Sequence, residues 1–368
     1  MKILLVNADN GGIMHYAVDL ANHLVQTQEV IIIAKKSAER LLNKNCEMII
    51  VNDSRNLKLV FSQFKKTLLK YEPDIVHFTG YHPLFIILSS YLNKKRIPSI
   101  YTIHDAKRHP YKKNFVKNIR DRIIFNKFLN QHLINLSTNI VALSSYVAGQ
   151  IKALYKADAV VIPLSQDVKR YNFIDYDIIC KENNSNEESI KLLFFGSVSY
   201  YKGVDDLIKA AEILKQNDVK FKLTIAGKSD GYDLKIPDSV KSEISYLNRF
   251  IKEEETPCLF YNSDVVIQPY LEASQSGVLP LAFSFKKPVI STNLGSFTEI
   301  IEDGINGFTV NSKSPREIAD LIVYLSKNKH LISELSEGAY KTYVDKLSWP
   351  QLIKKYIKLY EKATIRPL

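Results

Sequence analysis

Cysteine is scarce in this sequence. Cys46, Cys180 and Cys258 stand far apart with no metal-ligand spacing, which argues against zinc and against disulfides and fits a reducing compartment. No stretch approaches the roughly 20 consecutive apolar residues that a membrane span requires, so a soluble chain is expected. The opening MKILLVNADNGG has one lysine and a very short apolar run, without the apolar length or cleavage site of a secretory signal. Cytoplasmic residence follows as the expectation. Zinc-finger spacing, an aromatic RNA-binding signature and a single arginine-rich arm are missing too, which removes nucleic acid from the expected partners. There is no internal repeat of short period.

What is present suits two domains: 368 residues, 46% hydrophobic and 24% charged, against a usual domain of roughly 100–200 residues. The first half alternates short apolar runs rich in β-branched residues (KILLVN, EVIIIA, EMIIV, DIVHF, SIYTI, NIVALS and VVIP) with longer amphipathic stretches. Such runs between helical patterns mark a parallel sheet covered on both faces, hence a Rossmann-like α/β domain over residues 1–164. Residues 165–190 turn polar and end in KENNSNEES, with almost nothing to bury, and read as an interdomain connection. KLLFFG, FKLTIAG, DVVIQP, PVIST and GFTV restart the alternation, giving a second Rossmann-like domain over residues 191–347. Residues 348–368 read as a terminal amphipathic helix, with Ser348 as N-cap, Pro350 in the first turn, and Leu352, Ile353, Tyr356, Ile357 and Tyr360 at helical spacing.

Open α/β sheets bind ligands at the carboxyl ends of their strands, so the turns after strand-like runs carry the functional candidates. After the first run, Gly11 and Gly12 open a helix, letting backbone amides approach an anion closely. The spacing is not GxGxxG, so no nicotinamide dinucleotide fingerprint is present, and a plain tight turn has the same appearance. After SIYTI come His104 and Asp105; an imidazole there can hydrogen-bond a sugar hydroxyl, stabilise developing charge, or be structural. After KLLFF, Gly196, Lys202 and Gly203 lead into a helix, an arrangement in which the ammonium can neutralise a diphosphate. After DVVIQP, Glu272 precedes small residues from Ser274 to Val278. The N–H groups of Ser276, Gly277 and Val278 can face a phosphate there, while Glu272 can accept hydrogen bonds from sugar hydroxyls. A ligand that is both phosphate and polyol is implied.

At these residues the sequence resembles the retaining GT-B glycosyltransferases, glycosyltransferase family 4 or group 1, which build glycolipids, capsules and lipopolysaccharides. The resemblance covers nearly the whole chain and is strongest over Lys191–Val310, where GxxxxxKG, PYxEASQSG, KPVI and TEIIEDGxNGF occur in the family's order and spacing. It implies two Rossmann-like domains facing a central cleft, with the terminal helix crossing back to the first. The nucleotide-sugar donor would be held mainly by the C-terminal domain, and a glycan or lipid-linked acceptor mainly by the N-terminal one. Carried over by position, Gly11 and Gly12 lie near the donor phosphates and His104 faces the transferred sugar. Lys202 and Gly196 lie at the diphosphate, Glu272 contacts the sugar, and Ser276, Gly277 and Val278 supply phosphate-binding amides. Ile251, with Arg249, falls where the base is read, and Glu299 stands in an adjoining acidic loop. The implied chemistry is metal-independent transfer with retention, needing no cofactor beyond the co-substrate, with charge on the leaving diphosphate stabilised by Lys202 and helix N-terminal amides. No carboxylate pair of the glycosidase kind is evident, which is consistent with front-face attack.

Two features depart from the family pattern. Ser197 stands where many members carry an arginine after the glycine of the third turn, and Pro280 and Leu281 stand where a second glutamate holds the ribose. A nucleotide-sugar epimerase of the same architecture, and a catalytically silent sugar-nucleotide-binding subunit, are the competing readings.

The formal charge of +11 calls for an anionic partner. Lys107–Leu136 gathers eight Lys or Arg with Phe115, Ile119, Ile123, Phe128 and Leu129. This basic amphipathic segment can lie on anionic headgroups through Lys112, Lys113, Lys117 and Arg120, at roughly 1 kcal/mol per basic residue. A core-facing helix with a solvated basic face is the plainer alternative. With a lipid-linked acceptor, the expectation is peripheral attachment to the inner face of the cell membrane.

Overall fold

The computed structural model describes residues 1–9, 11–51, 57–107, 126–166, 168–171, 180, 188–229 and 231–365. The chain folds as two compact units. The first takes the chain up to Gln166 and returns for Leu347–Leu368; the second takes residues from 168 to 346.

In the first unit the elements run β1 (Lys2–Val6), α1 (Gly12–Leu24), β2 (Glu29–Ala34), β3 (Glu47–Ile50), α2 (Leu57–Tyr71), β4 (Ile75–Phe78) and α3 (Phe85–Lys94). They continue with β5 (Ser99–Ile103), α4 (Lys127–Leu136), β6 (Asn139–Ala142), α5 (Ser145–Tyr155) and β7 (Val160–Val161). The seven strands pair in parallel in the order β3-β2-β1-β4-β5-β6-β7, so the order reverses between β1 and β4. Alternate residues of the inner strands feed different cores: Ile3 and Leu5 face one cluster with Leu20 and Leu24 of α1, while Leu4 and Val6 face the other with Phe64, Phe85 and Leu88. Burial on both faces is why these strands read as unbroken apolar runs.

The second unit runs β8 (Ile190–Phe195), α6 (Val204–Gln216), β9 (Phe221–Ala226), β10 (Ile244–Leu247), α7 (Thr256–Tyr261), β11 (Val265–Gln268) and α8 (Val278–Ser284). Then come β12 (Val289–Thr292), α9 (Phe297–Ile300), β13 (Gly307–Val310), α10 (Pro315–Lys327) and α11 (Lys329–Thr342). Its six strands are parallel in the order β10-β9-β8-β11-β12-β13, reversing between β8 and β11. Strand β10 was not expected: as a half-buried edge strand, ISYL keeps polar residues and lacks a continuous apolar run.

A last helix, α12 (Trp349–Ile365), belongs to the first unit. It lays Trp349, Leu352, Tyr356, Leu359, Tyr360 and Ala363 into the core that α1 shares. Burying a side chain of this size contributes about 1.5–3 kcal/mol, so the helix is held by its apolar face rather than by its own propensity. Polar pairs fix its register. The Tyr356 hydroxyl lies 2.7 Å from that of Tyr16, and the Tyr360 hydroxyl 2.7 Å from Nδ1 of His77.

The cysteine expectation is corrected. Cys180 and Cys258 form a disulfide within the second unit, their Cα atoms 5.2 Å apart across 78 positions of sequence, while Cys46 is free and buried. Local spacing is blind to such a pair because the fold, not the chain, makes them neighbours. Among the described residues no helix is long and apolar enough to cross a membrane. Lys112, Lys113, Lys117 and Arg120, the expected membrane contacts, lie outside the described residues.

Candidate functional site

In each unit the glycine and small-residue turns lie at the carboxyl ends of the strands where the strand order reverses, the place where open α/β sheets leave a crevice, while His104, Ile251 and Glu299 follow β5, β10 and β12. In the first unit the loop after β1 meets the loop after β4. Asn7 Nδ2 donates to Thr79 Oγ1 (3.2 Å), and the Asn7 side-chain oxygen accepts from the Asp9 N–H (3.1 Å). Asp9 Oδ2 accepts from the Tyr81 N–H at 3.2 Å. Gly11 caps α1 with φ 63 and ψ −139, a conformation that favours glycine, so the helix opens without a side chain over its first amides.

His104, just past β5, is anchored from the same loop. Its Nε2 lies 2.8 Å from the Thr79 carbonyl, and since a carbonyl only accepts, Nε2 carries the proton. Burial holds the imidazole below its usual pKa, outweighing the opposing pull of the Thr79 hydrogen bond and of Asp105 and Asp9. It is therefore neutral at neutral pH, with Nδ1 as its accepting nitrogen. Burial likewise pushes the Asp9 carboxyl up, against the attraction of His104. Tyr16 meets the His104 ring edge-on, 5.2 Å between centroids. Behind it runs a buried chain of polar groups: Tyr356, Tyr16, Thr102, His77 and Tyr360, in contacts of 2.7 Å, 3.3 Å, 2.7 Å and 2.7 Å.

In the second unit the loops after β8 and β11 interlock. A 3₁₀ turn carries Tyr200–Lys202, and Gly203 follows in the left-handed region at φ 65, where a Cβ would lie 1.8 Å from the Pro269 carbonyl oxygen. Across the same contact the Leu271 N–H donates to the Tyr201 carbonyl at 2.7 Å. The Lys202 ammonium stands 3.6 Å from the centroid of the buried Tyr270 ring, within cation–π range. The Tyr270 hydroxyl is 3.3 Å from Ser276 Oγ, which accepts from Gln268 Nε2 at 3.2 Å and from the Val278 N–H at 3.3 Å. Lys202 and the small-residue turn are thus two ends of one packed unit, joined by Tyr270.

Of the three expected amides, Val278 is already met by Ser276 Oγ, whereas those of Ser276 and Gly277 have no acceptor among the described residues. Gly196 and exposed Ser197 border the turn at the end of β8. Glu272 is exposed and has no ion pair or hydrogen bond among the described residues. Glu299 is exposed in the first turn of α9, past a different strand. Ile251 is buried beyond β10, next to Phe250, which is 66% exposed. Arg249 grips Glu255 through its two terminal guanidinium nitrogens, and that hydrogen bonding holds the Glu255 carboxyl down at about 2.

Asp9, Thr79, Tyr81 and Tyr270 were not singled out from sequence. Asp9 and Tyr270 each sit one or two residues from a position that was, and a search of whole strand-end loops would have included them. Thr79 and Tyr81 carry the same signal, lying in TGYHP directly after the DIVHF run.

Residues 189–328 match the family "Glycosyl transferases group 1", and residues 10–170 match "Glycosyltransferase Family 4". An uncharacterized glycosyltransferase of Methanocaldococcus jannaschii is 27% identical over 79% of this chain and 76% of its own. A 41.2 kDa protein in the cps region of Klebsiella pneumoniae is 24% identical over 92% of this chain and 94% of its own. The crystal structure of Anabaena Alr3699/HepE in complex with UDP-glucose superposes with a TM-score of 0.73 at 15% identity, covering 98% of this chain and all of that one (100%). With two parallel α/β units and both family matches in sequence, the chain belongs to the glycosyltransferases of group 1 and family 4 and has the GT-B fold.

Proposed function

We propose that this glycosyltransferase moves a sugar from a nucleoside-diphosphate sugar to a glycan or lipid-linked acceptor, with retention and without a metal, in cell-surface polysaccharide assembly. The observation that carries the reading is the interlocked pair of loops at the β8/β11 reversal, which sets a lysine ammonium beside a turn with two open amides. Charge developing on a leaving diphosphate meets Lys202 and the Ser276 and Gly277 amides, groups held in place before the reaction begins. The Val278 N–H can join them, since its bond to Ser276 Oγ is long. Glu272 accepts hydrogen bonds from the sugar hydroxyls in this reading, which its exposure and lack of a partner among the described residues support. Gly196, Ser197, Ile251 and Glu299 complete the donor surface, with Ser197 supplying no cation.

In the first unit the neutral His104 offers Nδ1 to a sugar hydroxyl, and Gly11 and Gly12 offer the opening amides of α1. That the Anabaena structure holds UDP-glucose supports a uridine diphosphate sugar as donor. The cps-region relative supports a polysaccharide product. A charge of +11 and a Phe128 that is 85% exposed at the start of α4, within the basic segment, support attachment at an anionic membrane surface.

The test is incubation with labelled UDP-, GDP- and ADP-sugars and a bacterial lipid and glycan extract. Label is expected to enter an acceptor with its anomeric configuration kept, and to fail to do so with Lys202→Ala or His104→Ala. An isomerised donor without acceptor, or no turnover of any nucleotide-sugar, would overturn the reading in favour of an epimerase or a binding subunit respectively.

A further inference from the structure

The second unit has a cavity of about 390 Å³ at the amino-terminal edge of its sheet, lined by Ser189, Lys191, Asp264, Lys287, Lys329 and Ser333 among others. This is the edge opposite the proposed donor loops: β8 runs from this cavity to Gly196, about 20 Å away at about 3.3 Å per residue. The volume lies in the usual range of small-molecule pockets, about 300–1,000 Å³.

Its chemistry is one-sided. Its lining carries three lysines, 191, 287 and 329, against one aspartate, Asp264, and Lys329 also acts on Glu188 beside the cavity, so Lys191 and Lys287 carry the positive character. Asp264 is partly committed already, since its Oδ2 accepts from the Lys191 N–H at 2.7 Å. Lys287 is half-buried, its ammonium donating to the neutral Tyr261 carbonyl at 3.1 Å, and burial pulls its pKa down against the weaker attraction of Asp264. Its chain neighbour Lys286 instead turns outward to Glu337 at 3.2 Å. Lys191 has no carboxylate within ion-pair distance among the described residues. Buried or concave cations without a matched anion are costly, and a bound anion relieves that cost.

We propose that this cavity is a second anion site, distinct from the donor loops, that takes a phosphate-bearing ligand through Lys191 and Lys287, with Lys329 and the serine hydroxyls around it. Lysine binds phosphate as a point charge, which suits a cavity without a guanidinium fork.

The experiment is calorimetric titration of the full chain with inorganic pyrophosphate at constant ionic strength, on wild type, Lys202→Ala, Lys191→Ala/Lys287→Met and the surface control Lys220→Ala/Lys286→Ala. Binding should survive Lys202→Ala and the control, and weaken about tenfold or more in the cavity variant. Lys191→Ala alone, at the strand edge, keeps the test open if the double variant fails to fold. Flotation with phosphatidylcholine vesicles, with and without phosphatidic acid, separates a free ligand from a lipid headgroup. Pyrophosphate binding assigns the free ligand; binding only to phosphatidic acid vesicles, lost in Lys191→Ala, assigns the headgroup. Binding lost with Lys202→Ala, binding indifferent to the cavity lysines, or no binding to either probe overturns the proposal. Failure of the donor reading would show separately, as wild type that ignores nucleotides.

Discussion

Gly203→Ala is the sharpest perturbation of the donor loops. An alanine at φ 65 costs about 1–2 kcal/mol for the left-handed backbone alone. Its Cβ would also sit 1.8 Å from the Pro269 carbonyl oxygen, so the two loops must part by more than about 1 Å to restore ordinary contact. That separation breaks the 2.7 Å bond from Leu271 to Tyr201, worth about 1 kcal/mol net, and withdraws Lys202 from the Tyr270 ring. The expected loss of stability is roughly 2–3 kcal/mol, measured by urea unfolding of the second unit. A misplacement of about 1 Å is also expected to lower transfer as much as a hundredfold. Gly149→Ala is the control: it lies in α5 with nothing within 4 Å of its added Cβ, and should stabilise by about 0.5–1 kcal/mol. A Gly203→Ala protein with wild-type stability and wild-type transfer would refute the claim that the interlocked loops form the site.

Three further outcomes follow from the first unit's core and the second unit's disulfide. Burial holds His77 down at about 3, so the unfolded chain, near 6.5, binds the extra proton first as pH falls. Stability should therefore drop by about 1.4 kcal/mol per pH unit below 6.5, levelling near 3, and His77→Gln should flatten that acid limb in pH-dependent unfolding. Trp349→Ala, emptying a fully buried site under α1, should cost about 3–5 kcal/mol and release α12 from the first unit, seen as faster proteolysis of the C-terminus. Reducing Cys180–Cys258, or Cys180→Ser, reopens a loop of 78 positions and should cost the second unit roughly 4 kcal/mol by loop-closure entropy; an unchanged melting temperature in reductant would count against the bond.

The inner strands of both units were legible because burial on both faces left continuous apolar runs, and the small-residue turns after them marked their functional ends. Edge strand β10 escaped because half-exposure restores polar residues to it. The Cys180–Cys258 bond and the chain from Tyr356 through Tyr16, Thr102 and His77 to Tyr360 were illegible for a different reason. Their members are unremarkable one at a time, and only topology brings positions as distant as His77 and Tyr360 into contact. Lys202 and the Ser276–Val278 turn were recognisable from their place after strands, but not their joining through Tyr270, nor the Ser276 hydroxyl that occupies the Val278 amide.

The central claim is that Lys202, Glu272 and the open turn amides bind a sugar nucleotide. Calorimetric titration with UDP, GDP, ADP and CMP, then with the sugar conjugate of whichever binds, tests it directly. One nucleoside diphosphate is predicted to bind and to weaken about tenfold or more with Lys202→Ala. Glu272→Gln is predicted to weaken the sugar conjugate while leaving the bare nucleotide unchanged. Failure of all four nucleotides to bind, or binding indifferent to Lys202, would contradict the account.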